Sequence, residues 1–144
     1  MPFVPRPNVV DAEGLLAHAI TLLAAAGNEY EYRNVIERAY YGAYHAAREF
    51  EEHLPCRSKA QPQKGTHDAL LQRLERPDPQ LDYGLQTISK DVGAQLRMFK
   101  AIRELATYEL KETIGIHQAE QAILIAKDIL AECAKGQRKL KTLK

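Results

Sequence analysis

The chain has 144 residues, 45% hydrophobic and 27% charged, which is the composition of one globular domain long enough to bury a core without staples. A formal net charge of +1 excludes a molecule-wide attraction to polyanions, so any contact with nucleic acid has to come from a local patch. Cys56 and Cys133 are too far apart in sequence to suggest a disulfide framework or a zinc cluster, and no apolar run reaches the roughly 20 residues of a membrane span.

Pro2, Pro5 and Pro7 make the first ten residues an extended arm, and Met1 to Pro7 lacks the charged-then-apolar pattern of a signal peptide, so the expected location is cytoplasmic. Asp11 reads as an N-cap, with Glu13 in the first turn complementing the helix dipole. Leu15, Leu16, Ala19, Ile20, Leu22, Leu23 and Ala26 then recur at helical spacing until Gly27-Asn28 ends the helix. A second helix is expected from Glu29 to Leu54, with Val35, Ala39, Gly42, Ala43, Ala46 and Phe50 on one stripe and Pro55 as its stop. Its small residues permit close backbone approach, which predicts a place inside the bundle.

Residues 55–65 carry no periodicity and read as an exposed basic loop. Thr66 is the expected cap of a short helix with Ala69, Leu70, Leu71 and Leu74 on its apolar face, bounded by Pro77 and Pro79. Leu85, Ile88, Val92, Leu96, Phe99, Ile102 and Leu105 predict one long helix, with Ser89 a point of restart and Gly93 a weak point. After a break at Lys111 to Gly115, Ala119, Ile123, Ala126, Ile129, Leu130 and Cys133 mark the last helix. Residues 135–144 carry five basic side chains and no acid, and read as a solvated basic tail. No window alternates as a half-buried strand does, so the expected fold is an all-α antiparallel bundle of four long helices and one short one, in a single domain.

Two clusters carry the polar chemistry. On the second helix stand Arg33, Asn34, Arg38, Tyr40, Tyr41, Tyr44 and His45, and helical spacing stacks Arg38, Tyr41 and His45 on one stripe. A guanidinium, a phenol and an imidazole so arranged can hold a phosphate and move a proton; alternatively the tyrosines pack in the core and Arg38 pairs with a carboxylate. On the fourth helix Arg103 precedes Tyr108 and is flanked by Arg97 and Lys100. Arg103 lies beside the apolar stripe, so its charge needs a partner, either a carboxylate across the bundle or a substrate phosphate. The five histidines are scattered without the paired spacing of a helical metal site, and neither a phosphate loop nor a Ser or Cys nucleophile signature occurs, so no metal or cofactor is expected.

Three of these pieces, in order, resemble the HEPN family (higher eukaryotes and prokaryotes nucleotide-binding domains). Asn34 to Ala47 resembles that family's Arg-x-Tyr-Tyr-x-x-Phe/Tyr helix, Lys64-Gly-Thr-His67 its Lys-Thr-His turn, and Phe99 to Leu110 its Arg-x-x-Ala-Asp-Tyr segment; the likeness spans about residues 12–134. The resemblance implies a self-paired helical bundle associated with RNA or nucleotide, often encoded beside a nucleotidyltransferase partner as the toxin of a toxin–antitoxin pair. In many members an arginine followed shortly by a histidine cuts RNA without a metal. Here Arg103 is followed by Tyr108 with no histidine until His117, and Thr107 replaces the usual Asp. Loss of such a general acid/base typically costs about 10²–10⁴ in rate, so the resemblance leaves open both a ribonuclease and a non-catalytic interaction or nucleotide-binding module. Matching spacings at Arg38/His45 and Arg48/His53 fall on the second helix, away from the family's active site. The site residues implied are Arg103 and Tyr108 for catalysis, with Arg38, Tyr41, His45, Arg97 and Lys100 for RNA or nucleotide.

Overall fold

The computed structural model describes residues 11–60 and 65–143, so the proline-rich arm and Lys64 lie outside the described residues. Among these there are five helices and no strand: α1 (Ala12–Ala25), α2 (Glu29–Glu52), α3 (Thr66–Glu75), α4 (Tyr83–Tyr108) and α5 (Ile116–Thr142). This is the predicted all-α bundle with its short third helix.

Local chemistry accounts for most of the boundaries. Asp11 caps α1 as expected, its carboxylate accepting from the Gly14 N–H at 2.8 Å. α1 ends at Ala25 with Ala26 as its C-cap, just before the expected Gly27-Asn28 stop, and Asn28 serves the next helix instead: its side-chain oxygen accepts from the Glu31 N–H at 3.0 Å, while its amide donates to the Glu31 carboxylate at 2.7 Å. It is thus the N-cap of α2. The expected Thr66 cap is corrected by one residue. Gly65, at φ +55°, holds the cap position, Thr66 is already helical, and no side chain caps α3. α4 runs unbroken through Ser89, which is fully buried and donates its hydroxyl to the Leu74 carbonyl at 2.8 Å, tying α4 to α3.

The basic tail is corrected as well, because α5 remains helical to Thr142. Gly136 is buried under Phe50, and Leu140 packs against the core.

Contacts at the helix ends set the directions. The first turn of α2 meets the last turn of α4 through Arg33, which donates to the Ala106 carbonyl at 2.7 Å and the Glu109 carbonyl at 3.2 Å. The first turn of α4 meets the end of α5, where Lys139 pairs with Asp82 at 3.6 Å. α4 therefore runs antiparallel to both α2 and α5, and the closely packed α2 and α5 run parallel, with Glu29 bonded to the Ile114 N–H at their starts and Phe50 against Gly136 at their ends. α2 touches all four other helices, whereas α1 and α4 do not touch each other. Gly42 allows this centrality, since a Cβ there would stand 3.2 Å from the Ala12 carbonyl and 3.3 Å from the Leu16 nitrogen of α1.

One charged knot binds the segment after α2. Glu51 is fully buried, and its carboxylate accepts from Arg57 at 2.6 and 2.9 Å and from Arg73 of α3 at 2.8 Å. Burial pulls its pKa upward, but the hydrogen bonds and charges of the two arginines outweigh it and hold the carboxyl below its usual range. Residues 55–60 form the expected exposed loop, tied down by Arg57 on Glu51 and by the Ser58 hydroxyl, which donates to the Arg76 carbonyl.

Replacing Arg57 and Arg73 together by alanine leaves a buried carboxylate uncompensated and should cost about 3–5 kcal/mol. Arg57→Ala alone, losing a half-exposed guanidinium, should cost under about 1 kcal/mol. Urea unfolding midpoints check both. Gly136→Ala should lower the midpoint too, with a loss of about 1–3 kcal/mol in stability, because the added Cβ would lie 2.3 Å from Phe50 Cε1.

Candidate functional site

The helical period divides the aromatic run of α2 between two faces. Tyr40 and Tyr44, one turn apart, turn inward toward α3 and α4 and are buried, whereas Tyr41 and His45 turn outward and are exposed. Tyr40 meets Phe99 of α4 edge-on with ring centroids 5.5 Å apart. His67, in the first turn of α3, closes this group. Its Nδ1 lies 2.8 Å from the Tyr40 hydroxyl, and its ring stacks on Tyr44 at 4.3 Å.

α4 brings Arg103 to the same place. Its guanidinium pairs with Glu37 of α2 at 3.1 Å and lies 5.4 Å from the Tyr40 ring centroid and 5.8 Å from that of Tyr108. Glu37 also accepts a hydrogen bond from the Thr107 hydroxyl. The carboxylate across the bundle is therefore the partner that the position of Arg103 called for. Lys100, one turn earlier, pairs with Glu104 at 2.5 Å and with Asp68 of α3 at 3.6 Å.

These surroundings set the protonation states. Burial, followed by the charges of Arg103 and Lys100, lowers the pKa of His67 and outweighs the opposite pull of Asp68 and Glu37, so the imidazole is neutral at pH 7. Burial likewise pushes the Tyr40 phenol far above its usual range, against the opposing charge of Arg103. Tyr40 therefore stays a phenol. Burial works against the charge on Arg103, but the hydrogen bonds and charge of Glu37 outweigh it. The Tyr40–His67 bond accommodates either tautomer: an Nδ1–H donating to the phenol oxygen leaves Nε2 as a base, and the reverse bond makes Nε2–H a donor.

Arg103, Tyr108 and Lys100 are thus brought together as the sequence suggested. Arg97 is not among them; it pairs with Glu75 of α3 at 2.6 Å. Arg38, Tyr41 and His45 form a separate outward strip, with Tyr41 and His45 stacked at 6.2 Å. Arg38 has no ion pair among the described residues, so the alternative pairing with a carboxylate does not hold. The reading of this aromatic run as core holds only for Tyr40 and Tyr44. His45 edges a cavity of about 370 Å³ with Asp11, Leu15, Arg48 and Glu52, and burial, then the Arg48 charge, lowers its pKa.

Sequence reasoning missed two members of the site. His67 was one of five scattered histidines, although the Lys64-Gly-Thr-His67 turn already marked it; Glu37 carried no signal except its place one turn before Tyr40 and Tyr41. Among the described residues no cluster of His, Cys, Asp or Glu has the arrangement of a metal site. No family model, curated protein or solved structure matches the chain.

The lowered His67 pKa has a thermodynamic sign. The unfolded chain takes up a proton at this position at a higher pH than the folded protein does, so the associated stability is present above the ordinary histidine value and is lost as pH falls through the folded value. Melting temperature should therefore decline between pH 7 and pH 5, with a shallower decline in His67→Gln, the remainder including His45, which is shifted in the same direction. An unchanged slope in His67→Gln would show that the imidazole is not desolvated.

Proposed function

We propose that the chain is a HEPN-like, self-pairing protein that acts on RNA, cutting it without a metal at the His67–Arg103 site. The observation that supports this reading is the geometry of His67, held on the Tyr40 hydroxyl at 2.8 Å in the cluster that Arg103 joins, where burial lowers its pKa. The histidine missing after Arg103 in sequence has a spatial substitute from α3.

His67 is the proton acceptor in this reading. Nε2 takes the proton of a ribose 2′-hydroxyl, that oxygen attacks the adjacent phosphorus, and the P–O5′ bond breaks with the 5′-oxygen protonated from solvent. Arg103 stabilises the charge developing on the phosphoryl oxygens, with Glu37 giving way to the substrate. Tyr40 is a positioning residue that holds the His67 ring through Nδ1 and leaves Nε2 for the substrate. The exposed Arg38, Tyr41 and His45 strip supplies a cation and an aromatic face for neighbouring nucleotides. In a cell, such an enzyme would be the toxin half of a toxin–antitoxin pair, restrained by a nucleotidyltransferase partner.

A second reading is favoured by the way the site's cations are already satisfied. Glu37 holds Arg103, and both Asp68 and Glu104 hold Lys100, which suits a non-catalytic module that binds a nucleotide or a partner protein.

Incubation with labelled single-stranded RNA in the presence of a chelator separates the two. On the first reading the protein cuts RNA; His67→Ala lowers the rate by about 10²–10⁴, and Arg103→Ala by about 10²–10³. Tyr40→Phe should alter the pH profile, which a purely structural tyrosine would leave in place. RNA left intact by the wild-type protein removes the ribonuclease and leaves the binding module.

A further inference from the structure

We infer that α4 is the self-pairing helix, and that two copies of the chain join through an antiparallel α4–α4 contact centred near Phe99 and Lys100. This rests on the self-pairing in the proposed function but not on its RNA chemistry.

The core side of α4 carries Leu85, Ile88, Val92, Leu96 and Phe99, all buried. Ala94, Met98, Ala101, Leu105 and Tyr108 fall on the opposite side, at alternating spacings of four and three residues. All five are exposed, with Met98 at 52%, Leu105 at 45% and Tyr108 at 65%. An unbroken apolar stripe with seam spacing on the outside of a bundle calls for another helix.

Side-chain size and charge choose that helix. An isologous antiparallel pair about this centre sets Met98 against Ala101 of the second copy and Leu105 against its Ala94, large against small in each layer. Tyr108 then faces Asp91 of the second copy, which can accept its hydroxyl proton in a hydrogen bond. Arg97 and Glu104 flank the stripe on one side, with side chains 54% and 45% exposed. In this register Arg97 of each copy lies opposite Glu104 of the other, twice over. Sliding the pair by one heptad either way sets Glu104 against Glu104 or Arg97 against Arg97. A parallel pair sets Arg97 beside Ile102 and stacks Leu105 on Leu105 and Ala101 on Ala101. Charge and volume thus favour one register of a second copy.

The test is sedimentation equilibrium on the full chain at up to tens of micromolar, with circular dichroism melts to establish folding. Wild type should be dimeric, and Leu105→Glu, which alters only an exposed side chain, should be monomeric. Arg97→Glu and Glu104→Arg should each weaken the dimer by about tenfold or more, and the double variant should recover it. That recovery cannot come from within one copy, because the Arg97–Glu75 and Lys100–Glu104 pairs stay broken in the double variant. A monomeric wild type, a dimer indifferent to these changes, or single losses without recovery in the double variant would each overturn the inference. Cleavage assays on the same samples separate the two claims: a dimer that leaves RNA intact refutes the ribonuclease and retains this interface.

Discussion

The central position of α2 is the constraint on which the rest of the structure depends. It is possible because the buried faces of α2 and α5 are built from small residues, Ala39, Ala43 and Ala47 on one and Ala119, Ala122 and Ala126 on the other, all fully buried. Methyl groups in place of branched chains let the two helices approach closely, and that approach lets α2 reach every other helix while α1 and α4 remain apart. Only a narrow strip of α2 is left to water. Arg38, Tyr41, His45 and Arg48 occupy it, while Tyr40 and Tyr44, a small rotation away, meet α3 and α4. The same helix thus supplies the core, the site and an exposed strip.

Charge is matched to this arrangement at two depths. Glu51, deep under the end of α2, takes two arginines, one from the following segment and one from α3. Such a knot contributes position more than net stability, since desolvation offsets much of its Coulomb energy. It places α3, and α3 carries His67. Nearer the surface, Glu37 pairs with Arg103 beside Tyr40, and Arg33 gathers the carbonyls at the end of α4. The Leu105 and Glu109 carbonyls also accept from the Glu109 and Glu112 N–H groups, so the Ala106 carbonyl gains most from the guanidinium, whose charge suits the end of the helix dipole.

The fold was legible because it is written in short-range patterns. Helical spacing gave all five helices, and Asp11 and Pro55 gave the start of α1 and the stop after α2. The misreadings share a cause. Thr66 has the chemistry of a cap, but Gly65 alone takes the positive φ that the turn requires. Residues 135–144 look like a solvated tail because of their lysines, and the signal to the contrary, Gly136 fitting the Phe50 ring, depends on a residue more than eighty positions away. The site was legible in halves for the same reason. Arg103, Lys100 and Tyr108 share a helix, so periodicity groups them, whereas His67 joins them only once Glu51 and Arg73 have docked α3.

α4 presents two different faces along one length. Arg103 is on the side of the core and Leu105 on the side of solvent, although they are two residues apart, because two steps of an α-helix turn the side chain through more than half a circle. The length of α4 then matters. If the helix ended a turn earlier, neither Thr107, which bonds Glu37, nor Tyr108, which lies near Arg103, would be in place. Arg33, in the first turn of α2, meets this last turn at the Ala106 carbonyl. Tyr108, the last residue of α4, touches both the site and the apolar stripe, so whatever covers the stripe also borders Arg103. The end of α4 is thus where the exposed apolar stripe and the Arg103 cluster meet.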